Sequence, residues 1–180
     1  MRTLLIPALA ATMLTFSFGL AADAQEPAQT ASAFAAMKDR DGQDRGTVTF
    51  TETKSGVLHV LVEMTGLPPG PHGFHVHATG ACDAAGGFES AGPHYGDGEH
   101  GIAQPDGPHA GDFPNVHVGQ DGLLKVEFFT ERLSIGEGET PLMDADGSAV
   151  MIHAGPDDHT AQPGGDAGDR IACGIVQQPA

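Results

Sequence analysis

Val57-Leu58-His59-Val60-Leu61-Val62-Glu63-Met64-Thr65 is the stretch whose reading decides the fold. Leu58, Val60, Val62 and Met64 share one side of an extended chain, and Val57, His59, Leu61 and Glu63 share the other. Side chains alternate between the two faces of a strand, so this period of two marks a half-buried antiparallel strand. Thr47–Glu52 repeats the pattern upstream, with Val48 and Phe50 on one face and Thr47, Thr49 and Thr51 on the other. Downstream, Leu124, Val126 and Phe128 alternate with Lys125, Glu127 and Phe129. Asp41-Gly42 and Lys54-Ser55-Gly56 punctuate these runs where hairpin turns are expected. Twenty-six Gly, 13 Pro and no Trp fit many turns around short strands. No segment after the N-terminal leader has comparable helical periodicity, so the fold is read as all-β.

The chain has 180 residues, 39% of them hydrophobic, enough for one domain with a proper core. Twenty-four acidic residues face 8 basic ones, for a net charge of −16. That balance excludes a nucleic-acid partner, whose phosphates need a basic face, and an anionic membrane surface. Arg2, the apolar stretch from Leu4 to about Leu20 and the small residues of Ala22-Asp23-Ala24 read as a secretory signal over residues 1–24. The alternative, an uncleaved membrane anchor, is opposed by the short run and by Pro7. Residues 25–31 read as a flexible lead-in and 32–180 as the domain. Cys82 and Cys173 are the only cysteines, and an even count in an exported chain suggests a disulfide, two free thiols being the alternative.

Two long segments break the strand pattern: Ala78–Pro114, rich in Gly, Pro, Asp and His, and Ala154–Asp169, rich in Gly, Asp and Pro. Loops of this length in a compact domain are functional when the element assignment is right. The chain has 10 His, most of them around the first loop. His75 and His77 stand at i and i+2 of an apolar run, so on a strand they face one side; His94, His100, His109 and Asp112 follow in the loop, and His153 ends the apolar run Ala149–Ile152. Four imidazoles suit Cu(II), and imidazoles with a carboxylate suit tetrahedral Zn(II). Two four-coordinate metals offer about eight ligand positions, which these residues fill if one imidazole binds through both nitrogens.

Gly73-Phe74-His75-Val76-His77, Ala91-Gly92-Pro93-His94, Gly107-Pro108-His109-Ala110-Gly111-Asp112 and Gly165-Asp166-Ala167-Gly168-Asp169-Arg170-Ile171-Ala172-Cys173-Gly174 occur in that order. In them the sequence resembles the copper–zinc superoxide dismutases, above all their bacterial periplasmic branch, from about Ser32 to Gln177. The resemblance implies a Greek-key β-sandwich or barrel of eight antiparallel strands with two long functional loops. It implies copper on His75, His77 and His153, with His94 bridging copper to zinc, and His100, His109 and Asp112 completing the zinc site. It also implies that a Cys82–Cys173 disulfide pins the metal-bearing loop to the last strand. Arg170 would position the anion beside copper. Asp157, with Asp158 as the neighbouring alternative, would link His75 and His100. The activity implied is dismutation of superoxide, the substrate, in the periplasm, by a monomer or homodimer.

Some positions depart from the family pattern. Tyr95-Gly96-Asp97-Gly98-Glu99 follows His94, where an Asn-Pro pair is frequent, and Gly164 stands where a small hydroxyl residue is common. Gly155 and Glu99 occupy positions where lysines are frequent, and from Thr47 onward the only Lys and Arg are Lys54, Lys125, Arg132 and Arg170. Only Arg170 among these falls beside copper by motif, so a weak or rising dependence of rate on ionic strength is expected, with a gain on replacing Glu99 by Lys. The competing expectation is a secreted copper or zinc carrier without turnover. His72 matches a supporting position next to the copper strand; His59 and His117 read as exposed or packed.

Overall fold

A computed structural model describes residues 31–179, so the proposed signal and most of the lead-in lie outside the described residues. Nine strands run in chain order: β1 (Ser32–Asp39), β2 (Asp44–Glu52), β3 (Leu58–Met64), β4 (Gly70–His72), β5 (Phe74–His77), β6 (Val116–Val118), β7 (Leu124–Thr130), β8 (Ala149–His153) and β9 (Arg170–Gln177). One short 3-10 turn, Glu89–Ala91, is the only helical element among the described residues, so none there can cross a membrane as a helix.

The alternating runs become β2, β3 and β7, paired in register from Val48↔Val62 to Val62↔Val126. Both expected turns form, with Gly42 and Gly56 at positive φ. Seven antiparallel strands make one curled sheet in the order β5-β8-β9-β1-β2-β3-β7, and β4 pairs with β6. β6 also lies against β7, and β4 runs into β5 through Gly73, so the curl closes on itself. The count of nine, against the expected eight, arises here: one strand bends at Gly73, and its halves take different partners.

Inward-facing residues Ala33, Ala35, Val48, Phe50, Val60, Val62, Val150 and Ile152 are fully buried. Phe74, Phe113 and Phe128 stack among them with ring centroids 5.2 to 5.6 Å apart. Unlike β2 and β3, strands β5 and β8 are buried on both faces. Their outer face is covered by the two long loops, 78–115 and 154–169, and a third connection, 131–148, tucks Leu133, Ile135 and Leu142 into the core.

Candidate metal centre

Pairing register places the first three imidazoles. His75 lies opposite Met151 and His77 opposite Ala149, so His153, two residues beyond Met151, shares their face. Phe74, Val76, Val150 and Ile152 take the other face and enter the core. The loop residues arrive by a different device. Segments around 93–95 and 110–112 run back along β5, with bridges His77↔His94 and His75↔Asp112. The amide of Tyr95 donates to Val76 O at 2.9 Å, and that of Val76 donates to Gly111 O at 2.9 Å. A Cβ on Gly111 would stand 2.3 Å from Val76 O, so only glycine allows this approach.

Among the described residues two groups of four ligand-type atoms result, each within 4.8 Å: His75, His77, His94 and His153; and His94, His100, His109 and Asp112; a third group, of three, is His75, His100 and Asp157. His94 belongs to both groups of four. Its Nδ1 lies 2.8 Å from Asp112 Oδ1, and its ring centroid is 4.0 Å from that of His75 and 5.0 Å from that of His100. The structure thus gathers all seven residues chosen as ligands from sequence.

Whether these residues suit metals can be judged from their hydrogen bonds. Each of four rings is held by one nitrogen: His77 Nδ1 at Gly92 O (2.8 Å), His153 Nδ1 at Gly168 O (3.1 Å), and His75 Nε2 and His100 Nε2 at Asp157 (2.7 and 2.9 Å). The opposite nitrogens, together with His109 Nδ1, are buried without a hydrogen-bond partner. His100 Nδ1 and His109 Nδ1 do lie 3.1 and 3.3 Å from Asp112 Oδ2, but out of hydrogen-bond alignment, as neighbouring corners of a coordination shell would be. An orphaned buried polar atom costs about 1–3 kcal/mol, and five of them converging on two points fit cations.

Electrostatics agrees. Desolvation pulls His75 down to about 4 and His153 to about 3, and holds His77 well below the ordinary imidazole value. These rings are therefore neutral at pH 7, the form that ligates metal. Burial pushes the Asp112 and Asp157 carboxyls up, but hydrogen bonds from His94 to Asp112, and from His75 and His100 to Asp157, outweigh it. Both are held far below the usual carboxylate range.

Asp157, not Asp158, is the carboxylate between His75 and His100. Asp158 instead accepts the backbone N–H groups of Thr160 and Ala161. Gly165, at φ +69, leaves room for this clamp, because a Cβ there would stand 2.0 Å from Asp157 Oδ1. Cys82 and Cys173 are joined. Arg170 donates to Phe88 O at 2.8 Å and to Gly92 O at 2.9 Å, and Gly92 O also holds His77. Its guanidinium borders a cavity of about 320 Å3 lined by His94, His153, Gly164, Glu89 and Asp169, among others.

Glu99 and Gly155 do not line this cavity. Its acidic groups are Glu89, Asp166 and Asp169, and a second cation, Arg40, enters from the β1–β2 turn. Sequence reasoning passed over Arg40 because it precedes the recognisable motifs. Arg132 was likewise unassigned; it donates to His109 O at 3.2 Å and Asp112 O at 2.8 Å, bracing the loop behind the second cluster. His72 lies between the carbonyls of His153 and Pro68, each 2.8 Å away. His59 stacks on Phe129 at 5.2 Å, and His117 is exposed on β6.

Comparison with known proteins agrees with this geometry. The pattern described as Copper/zinc superoxide dismutase (SODC) matches residues 44–176. A Cu-Zn superoxide dismutase of Caulobacter vibrioides is 44% identical over 151 residues, covering 81% of this chain and 86% of the relative. Cu-Zn superoxide dismutase 1 of Aquifex aeolicus is 36% identical over 174 residues, covering 94% and 96%. The crystal structure of a SOD-like protein from Bacillus subtilis superposes with a TM-score of 0.75 at 35% identity, covering 79% of this chain and 96% of that one. With its curled antiparallel sheet and its two histidine clusters joined at His94, the chain belongs to the copper/zinc superoxide dismutase family.

Proposed function

We propose that this protein converts two superoxide anions and two protons to dioxygen and hydrogen peroxide, with copper held by His75, His77, His94 and His153. Zinc would be held by His94, His100, His109 and Asp112. The observation that carries this reading is the set of buried, unpartnered imidazole nitrogens converging on two points that share one ring. Bound copper would supply the alternating one-electron exchange, while zinc keeps a single oxidation state.

The chain's own residues do the rest. His94 Nδ1 faces Asp112, which leaves Nε2, on the other edge of the ring, for the first cluster. Nε2 is also the atom able to hold a proton and pass it to the reduced oxygen species. Arg170, locked by two carbonyls at the cavity wall, orients the anion and stabilises charge that develops beside it. Asp157 fixes His75 and His100 in one tautomer, so loss of either metal would be felt by the other. A carrier without turnover would leave Arg170 and its cavity without a task.

This reading includes export. Residues 1–24 serve as a cleaved signal, 25–31 as lead-in and 32–180 as the working domain, located in the periplasm as a monomer or homodimer. Arg2 with the apolar leader supports it, and the Cys82–Cys173 bridge suits an oxidising compartment. The test is elemental analysis of the purified protein together with superoxide consumption. One copper and one zinc per chain with fast consumption are expected; loaded protein that leaves superoxide decay at its spontaneous rate would overturn the proposal.

A further inference from the structure

Resting on the dismutase reading, we propose that Arg40, in the β1–β2 turn, is a second cation that draws substrate into the cavity, beside Arg170. Arg40 Nε donates to the backbone carbonyl of Arg170 at 2.8 Å, so the turn is anchored where β9 begins. Its Nη1 lies 3.5 Å from Asp169 Oδ2, and the side chain lines the same cavity as His94 and His153.

The arrangement of the two rim ion pairs gives Arg40 its sign. Arg40 pairs with Asp169 and Arg170 with Glu89, at 3.5 and 3.6 Å. In both pairs the guanidinium is the more sheltered partner: 42% against 77% exposed for Arg40 and Asp169, and 14% against 76% for Arg170 and Glu89. The carboxylates sit in water, which screens them strongly, whereas Arg170 sits against the low-dielectric wall, where field lines are focused, and Arg40, although exposed, is the less solvated member of its pair. The third acidic group of the lining, Asp166, is exposed as well, so at the mouth the two cations act on a small anion against screened carboxylates, although the chain as a whole carries −16. Among the described residues Lys38, Arg45, Lys54, Lys125 and Arg132 do not line this cavity, which leaves the task to Arg40 and Arg170.

The test uses copper- and zinc-loaded protein with Arg40 replaced by Gln, Glu or Lys. A unit charge acting across roughly 10 Å of a mostly aqueous medium changes the local concentration of a small anion about twofold at low salt. Pulse-radiolysis rates at about 10 mM ionic strength should fall about twofold in Arg40→Gln, fall further in Arg40→Glu and be restored in Arg40→Lys. The differences should close as salt rises. Azide titration followed by the cupric absorption reads the same attraction without turnover and should weaken in the same order. A rate deficit in Arg40→Gln that persists unchanged at high salt would mean a purely structural role, and rates and azide affinities equal to wild type would remove any role; either overturns the inference. Wild-type protein that binds azide but does not consume superoxide would instead overturn the dismutase reading, and the azide series would still decide on Arg40.

Discussion

Replacing Asp157 by Asn should separate the two halves of the metal centre without altering its shape. The Asp157 side chain is fully buried and receives His75 Nε2 at 2.7 Å on one oxygen and His100 Nε2 at 2.9 Å on the other. An amide has one acceptor where the carboxylate has two, so its NH2 must face one of these imidazole N–H groups. One charge-assisted hydrogen bond, worth about 1.5–3 kcal/mol, is then exchanged for a contact between two donors. Partners of this kind change metal affinity by about 10–100-fold, which matches that energy at roughly 1.4 kcal/mol per factor of ten. Zinc affinity measured by competition with a chromophoric chelator at neutral pH should therefore drop about 10–100-fold in Asp157→Asn. Asp158→Asn is the control: its carboxylate caps only the exposed turn at Thr160 and Ala161, so zinc affinity should stay within about twofold. Retention of wild-type affinity by Asp157→Asn, or an equal loss in Asp158→Asn, would refute the reasoning.

Three other outcomes follow from the structure. Cys82→Ser opens a bridge spanning 91 residues, worth about 4–5 kcal/mol in the chain-entropy model. Its Tm should fall by roughly 10 °C or more, and an unchanged melting curve would show that the bridge constrains nothing. Arg132→Ala frees the carbonyls of His109 and Asp112 and should speed zinc loss to a chelator several-fold while copper is kept; equal loss of both metals would contradict the assignment to the second cluster. The metal-free protein should become less stable on acidification. Desolvation holds His75 at about 4 against an ordinary 6.5, so the unfolded chain binds more protons than the fold as pH drops from 7 to 4. The loss is on the order of 3 kcal/mol from His75 alone, and a urea midpoint that stays flat across that window would contradict it.

The parts of the fold legible in the sequence are those where one face meets water. β2, β3 and β7 alternate visibly because Thr49, Glu63 and Lys125 face out while Val48, Val62 and Leu124 face in. β1 escaped notice because its inward residues, Ala33, Ala35 and Met37, are set against Phe34, Ala36 and Lys38, so the contrast in hydropathy is weak. β5 and β8 carry no alternation at all: loops cover their outer face, and every residue is buried. The seven clustered residues were legible because His spacing survives in the chain, whatever path the loops take. Arg40 and Arg132 were not, since an isolated Arg looks the same in sequence whether it caps a carbonyl across the molecule or points into water. Sequence favoured Asp157 over Asp158 only through the family motif; the structure puts Asp157 beneath the imidazoles, where the Gly165 turn leaves room for it.

Copper and zinc, when both are bound, would share His94, one at each ring nitrogen. The most direct test is the cupric EPR spectrum of the loaded protein, recorded before and after selective removal of zinc, in wild type and in His94→Ala. Zinc removal should change the wild-type copper signal, because the shared imidazole would lose its second metal, and the His94→Ala signal should not respond to zinc. A wild-type spectrum indifferent to zinc would contradict that sharing.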